Sequence, residues 1–172
     1  MSDMSRKLLI LGAGQYGQVV RETAESMGCF EEIAFLDDNS LLAVGKMADA
    51  EKLHSTYTDA FVAMGSPVLR ELWMDKLETM GYRLPAIRHP QSVLMPSAKI
   101  AEGCIMEAMA VVNSYAQVGR GCLVCAGAVI NHNVVIAPYC QIDCNATVAA
   151  RSVVPKGYKV PCGQIYEKEN GV

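Results

Sequence analysis

Residues 101–160 read AEGCIM EAMAVV NSYAQV GRGCLV CAGAVI NHNVVI APYCQI DCNATV AARSVV PKGYKV, ten consecutive blocks of six. Every block ends in Met, Val or Ile, and the register runs back through Ile100 to Leu94, so twelve aliphatic residues stand six apart. Two positions before most of them comes a small residue: Ala98, Cys104, Ala110, Ala116, Cys122, Ala128, Val134, Cys140, Ala146 and Ser152. A period of six fits neither an α-helix nor a simple strand. It is the hexapeptide signature of a parallel β-helix, each hexad forming one side of a coil. Three sides make an 18-residue coil, so Leu94 to Val160 spans roughly four coils, a prism about 20 Å tall at the spacing of stacked strands. The block-final aliphatics are predicted to point inward. The small residues fit near the corners, which makes Cys104, Cys122 and Cys140 packing residues. Open ends and flat faces predict capping and oligomerisation.

Outside the repeat the grammar changes. Residues 1–90 hold 22 charged residues, all three Phe and the single Trp; residues 91–172 hold 11 charged residues, and their aromatics are four Tyr. The predicted organisation is an α/β domain over 1–90, a β-helix over 91–163 and a C-terminal tail over 164–172. In the first domain Lys7–Leu11, Glu32–Leu36 and Ala60–Met64 read as strands and Arg83–Arg88 as a last strand. Gln15–Met27, Lys46–His54 and Pro67–Met80 read as helices. The third helix is expected to carry Leu69, Leu72, Trp73, Leu77 and Met80 on one face, with Gly81 as its stop. Alternating strands and helices imply βαβ units on a small parallel sheet.

With 51% apolar residues in a chain of 172, disorder is excluded. A net charge of −3 without a Lys/Arg block speaks against nucleic acid and anionic membrane as partners. No apolar run reaches the length of a membrane span, and Leu8–Ala13 behind Arg6-Lys7 is too short for a signal peptide. Seven cysteines, an odd number without an export signal, predict reduced thiols and a cytoplasmic protein. Cys122-x-x-Cys125 has no second such pair and no local His, so no metal is expected.

Gly12-Ala13-Gly14-Gln15-Tyr16-Gly17 follows a strand and opens a helix, the G-x-G-x-x-G pattern that brings a phosphate to a helix N-terminus. Asp37-Asp38 at the end of the second strand suits hydroxyls of a ribose. Ninety residues are too few for a full dinucleotide domain, so the unit fits one nucleotide moiety.

The glycine-loop unit before the hexads resembles one group of left-handed β-helix acyltransferases: bacterial nucleotide-sugar N-acetyltransferases and sialic-acid O-acetyltransferase-like proteins. The resemblance rests on LLILGAGQYGQVV (8–20), FLDD (35–38), VAMGSP (62–67), RHP (88–90), PSAKI (96–100) and AVINHNVVI (128–136). It implies a half-Rossmann-like domain followed by a left-handed parallel β-helix, a homotrimer, and acetyl-CoA bound between neighbouring β-helices. It implies a UDP-sugar at Gly12, Gly14, Gln15, Tyr16 and Gly17, with Asp37 and Asp38 on the uridine side and Gly65 and Ser66 in the same pocket. His132 falls where the family has its catalytic base, and Ala150 where a backbone N–H faces the thioester oxygen. An acidic residue commonly follows that histidine; here it is Asn133, which accepts a hydrogen bond without supplying charge.

The implied reaction is acetyl transfer to the amino group of a UDP-linked sugar, with His132 as general base. A protein of the same fold that binds nucleotide sugars with weakened catalysis, and an O-acetyltransferase, remain as alternatives. A three-histidine metal enzyme is excluded, because the repeats hold His132 alone.

Overall fold

The computed structural model describes residues 6–168. The chain falls into two compact units, Met1–Pro85 and Ala86–Val172. In the first, β1 (Lys7–Leu11) lies between β2 (Glu32–Leu36) and β3 (Asp59–Val62), all parallel, in the order β2-β1-β3. Leu8 through Leu11 are wholly buried, the continuous apolar run expected of a central parallel strand covered on both faces. Helix α1 (Gln15–Ser26) follows β1. A 3₁₀ turn (Met47–Asp49) leads into α2 (Ala50–Leu53), and α3 (Pro67–Thr79) follows β3.

Two expectations are corrected in this unit. The apolar face of α3 is not wholly its buried face: the helix buries Arg70, Met74 and Leu77, whereas Leu69 and Leu72 are exposed. A face traced through apolar residues alone misses the first buried residue, an arginine. The expected strand Arg83–Arg88 does not form. Arg83 makes one isolated bridge to Asp59, and Ile87–Arg88 pairs instead with Ile105–Met106 inside the β-helix.

Asp59 is fully buried at the start of β3 and accepts hydrogen bonds from Arg6 at 2.9 Å and Arg83 at 2.8 Å. Burial alone would push its carboxyl up; the two guanidiniums outweigh burial and hold it below its ordinary value of 3.8. A depressed carboxyl adds stability above its unfolded pKa and loses it as pH falls through the folded one. Urea titrations are therefore expected to show Asp59→Asn destabilised by about 2 kcal/mol at pH 7. That gap should close as pH drops below 3.8. A gap that stays constant down to pH 2 would contradict the assignment.

The second unit is the β-helix. Its first face stacks Ile87–Arg88, Ile105–Met106, Leu123–Val124, Gln141–Ile142 and Lys159–Val160. The second stacks Val93–Leu94, Val111–Val112, Val129–Ile130, Thr147–Val148 and Ile165–Tyr166. The third stacks Lys99–Ile100, Gln117–Val118, Val135–Ile136 and Val153–Val154. All pairs are parallel with an 18-residue offset, as in Val129↔Thr147. The block-final residues from Met106 to Val160 form one buried core, with Leu94 and Ile100 packed partly against it. Ile165–Tyr166 is a further strand within the stretch read as a tail, where Tyr166 takes the inward register and donates its hydroxyl to Val153 O at 3.0 Å. Residues 169–172 of that tail lie outside the described residues.

The corners repeat as strictly as the faces. Every sixth residue from Gly103 to Gly163 has positive φ, and six of these are not glycine: Met109, Tyr115, Asn133, Tyr139, Asn145 and Arg151. Asparagine adopts this left-handed conformation more readily than other side chains. Cys104, Cys122 and Cys140 stack at one corner, each thiol donating to a carbonyl fifteen residues on: Gly119 O, Ala137 O and Pro155 O, at 3.0, 3.3 and 3.0 Å. The small core cysteines thus satisfy corner carbonyls as well as filling space. All seven cysteines are free thiols, and no helix among the described residues is long and apolar enough to cross a membrane.

Candidate active site

In the first unit the glycine loop joins β1 to α1. Gly12 has φ +105°, and a Cβ there would lie 2.9 Å from Ala63 O. Gly17 packs closer still, since its Cβ would meet Gly12 O at 2.1 Å, so helix and turn touch backbone to backbone. Gly14 and Gly65 differ: nothing lies within 4 Å of a Cβ built on either, and neither has positive φ. The protein's own packing does not require glycine at these two places, which leaves room for an approaching ligand. Gln15 is exposed in the first turn of α1, and Tyr16 is half-buried.

Asp37 and Asp38 are already engaged. Asp37 accepts from the Ala13 amide at 2.9 Å with one oxygen and from the Asn39 and Ser40 amides, at 2.9 and 3.1 Å, with the other. These amides, Ala13 foremost, hold its carboxyl below the ordinary range. Asp37 thereby ties the glycine loop to the end of β2. Asp38 accepts from the Met47 amide at 3.0 Å. Ser66 caps α3 by accepting from Leu69 N at 3.3 Å, with Pro67 next in the chain.

Sequence reasoning missed Arg70. It is 1% exposed and donates from Nη1 to Met64 O at 2.8 Å and Gly65 O at 2.9 Å, fixing the turn that carries Gly65 and Ser66. A charged residue at a buried helical position was the available signal.

Of the three histidines, His54 packs edge-on against Tyr82, and His89 Nδ1 accepts from the Gln91 amide at 3.1 Å. His132 is exposed at the corner between the second and third faces of the β-helix. Its amide donates to Asn131 Oδ1 at 2.8 Å, and its ring Nδ1 lies 3.0 Å from Asn133 Nδ2. Asn133 has φ +58°, so one residue both turns the corner and contacts the imidazole. The 18-residue register places Ala150 over His132. The flanking amides of Ala149 and Arg151 donate to Tyr166 O and His132 O at 2.8 and 3.1 Å. Among the described residues no acceptor engages the Ala150 N–H.

Three residues after His132 the third face opens into a groove of about 490 Å³, with Lys99, Gln117 and Val135 on its floor. Gly119 lines it too, and a Cβ there would lie 2.7 Å from Pro138 N. The CxxC cysteines do not act as a pair. Cys122 belongs to the corner column, while Cys125 is buried one coil from both Glu107 and Asp143.

Residues 7–77 match the family described as PglD N-terminal domain. The whole chain is similar to the acetyltransferase domain of PglB from Neisseria gonorrhoeae FA1090, solved in complex with acetyl coenzyme A. Identity is 28% and the TM-score 0.89, covering 94% of this chain and 82% of that one. A histidine-to-alanine mutant of GDP-perosamine N-acetyl transferase from Caulobacter crescentus, in complex with CoA and GDP-perosamine, shares the fold at 21% identity. Its TM-score is 0.86, with 95% and 89% of the two chains covered. WeeI from Acinetobacter baumannii AYE shares it at 20% identity and a TM-score of 0.73, with 96% and 93% covered. With a PglD-type glycine-loop unit in front of a regular hexapeptide prism, the chain is similar to sugar acetyltransferases built on a parallel β-helix.

Proposed function

We propose that this acyltransferase moves the acetyl group of acetyl-CoA to the amino group of a UDP-linked amino sugar, with His132 as general base. The observation that carries the reading is the His132–Asn133 pair at an exposed corner, beneath the uncommitted N–H of Ala150. A carboxamide presents a donor or an acceptor according to its χ2 rotamer. With Oδ1 toward the ring, Nδ1–H donates to Asn133 and the Nε2 lone pair is free for the incoming amine.

The amine nitrogen attacks the thioester carbonyl carbon as Nε2 takes its proton. The oxyanion that forms is met by the Ala150 N–H. Collapse breaks the C–S bond, and the imidazolium returns the proton to the departing CoA thiolate. This step needs the Asn133 carboxamide turned from the orientation in which Nδ2 lies 3.0 Å from Nδ1; Oδ1 then accepts from Nδ1–H while Nε2 takes and returns the proton.

The groove on the third face is the proposed path for the extended thioester arm, closed by a second copy of the chain in a homotrimer. The room above Gly14 and Gly65 favours a nucleotide sugar in the first unit, with Asp37 and Arg70 holding its loops rather than touching it. UDP as the nucleotide and a cytoplasmic setting rest on the sequence motifs and the cysteine usage; the nucleotide sugar bound by the Caulobacter crescentus enzyme is GDP-linked.

Release of free CoA from acetyl-CoA, followed with a panel of UDP- and GDP-linked amino sugars, tests this. Turnover with a UDP-amino sugar is expected. Release only with GDP sugars would overturn the nucleotide assignment. Sugar binding by calorimetry without any CoA release would support the weakened-catalyst alternative, which Asn133 in place of an acidic residue favours.

A further inference from the structure

A second cluster of reactive side chains lies at a different corner, between the first and second faces. Asp143 and Cys144 turn that corner, and Cys162 stands one coil on from Cys144 in the 18-residue register. The two coils are joined there by Gly163 N donating to Cys144 O at 3.0 Å and Asp143 N donating to Val160 O at 3.0 Å. One carboxylate oxygen and the two sulfur atoms all lie within 4.8 Å of one another. Cys162 is exposed, while Asp143 and Cys144 are half-buried.

We propose that Asp143, Cys144 and Cys162 bind a thiophilic divalent cation, zinc above all, as a clip between the last two coils. Three arguments support it. Two sulfurs and a carboxylate oxygen are a zinc donor set, and three protein ligands leave the fourth tetrahedral position to solvent, which reaches this corner. Small ligand shifts suffice, because tetrahedral zinc–sulfur bonds place neighbouring donors about 4 Å apart.

The charge also balances. Two thiolates and a carboxylate carry three negative charges; a divalent cation and Lys159, 2.9 Å from Asp143 Oδ2, neutralise them. The surroundings favour a cation as well. Glu107 and Asp143 bracket Cys125 in the same stacked column, and Glu107 Oε2 accepts from Ala126 N at 2.9 Å.

Cobalt(II) substitution of the full-length protein under reducing conditions provides the test. One cobalt per chain is expected, with intense thiolate-to-cobalt charge-transfer absorption in the near ultraviolet. Competition with a chromophoric chelator should show zinc bound about a hundredfold more weakly by Cys162→Ser and by Cys144→Ser, and at least tenfold more weakly by Asp143→Asn. Cys29→Ser should match the wild type.

Zinc should raise the unfolding temperature of the wild type and leave that of Cys162→Ser unchanged. Cys162 is exposed, so its serine variant is expected to fold. Absence of the charge-transfer band in the folded, reduced protein would overturn the proposal. So would a band that survives Cys162→Ser undiminished. Cobalt held by His132 alone would lack the thiolate band and count against it equally.

Discussion

Replacing His132 with alanine is expected to slow acetyl transfer by about 10²- to 10⁴-fold, the usual contribution of a positioned general base. The loss should appear in kcat, with nucleotide-sugar affinity unchanged by calorimetry, because the glycine loop and its Asp37 tether stay intact. The exposed corner tolerates the truncation, since the backbone bonds around it involve the His132 amide and carbonyl rather than the ring.

The neighbour gives a graded version of the same experiment. Asn133→Asp keeps an acceptor beside Nδ1, removes the competing donor and adds a negative charge that favours the imidazolium. Its acid limb in the kcat/KM profile should move to higher pH, with faster turnover above that limb. Asn133→Ala should turn over about tenfold more slowly. Wild-type turnover in His132→Ala would remove the imidazole from the mechanism. An unchanged profile in Asn133→Asp would limit Asn133 to its role in the turn.

The second large effect is expected at Gly17. A methyl group there would stand 2.1 Å from Gly12 O, a backbone atom that cannot swing aside, so α1 must pull away from the loop it caps. Gly17→Ala should cost about 3 kcal/mol of stability, at the upper end for overpacked sites, and should weaken nucleotide-sugar binding at least a hundredfold. Gly65→Leu is the contrasting variant. The space above Gly65 is open, so denaturation should shift by no more than about 0.5 kcal/mol while the same affinity falls. Equal stability loss in both variants would mean that Gly65 serves packing. Unimpaired binding in Gly65→Leu would move the ligand elsewhere.

The β-helix was legible because its information is redundant: each inward residue from Met106 to Val160 votes for the same register. Legibility stopped where the voters changed type. Arg88 and Tyr166 occupy inward register positions without being small aliphatics, so the first strand was assigned to the preceding domain and the last to a tail. In the α/β unit the strands were readable from continuous apolar runs, but polar atoms that satisfy backbone groups were not. Arg70 spends its charge on the carbonyls of Met64 and Gly65, and Asp37 spends both oxygens on loop amides. Such residues look like surface or ligand-binding groups until their partners are placed. His132 and Asn133 were legible as a pair because they are consecutive. The Asp143–Cys144–Cys162 corner was not, since its members meet only through the coil offset.

The left-handed residue at every sixth position makes the prism a counting device. One residue inserted into a side would turn every later core residue outward and move the corners off Gly121, Asn133 or Gly157, so changes in length are tolerated only in whole coils. Coils added beyond Tyr166 would lengthen the molecule without altering the single-coil step from His132 to Ala150. Durability and chemistry are thereby inherited separately, one in the number of coils and the other in the offset between two of them.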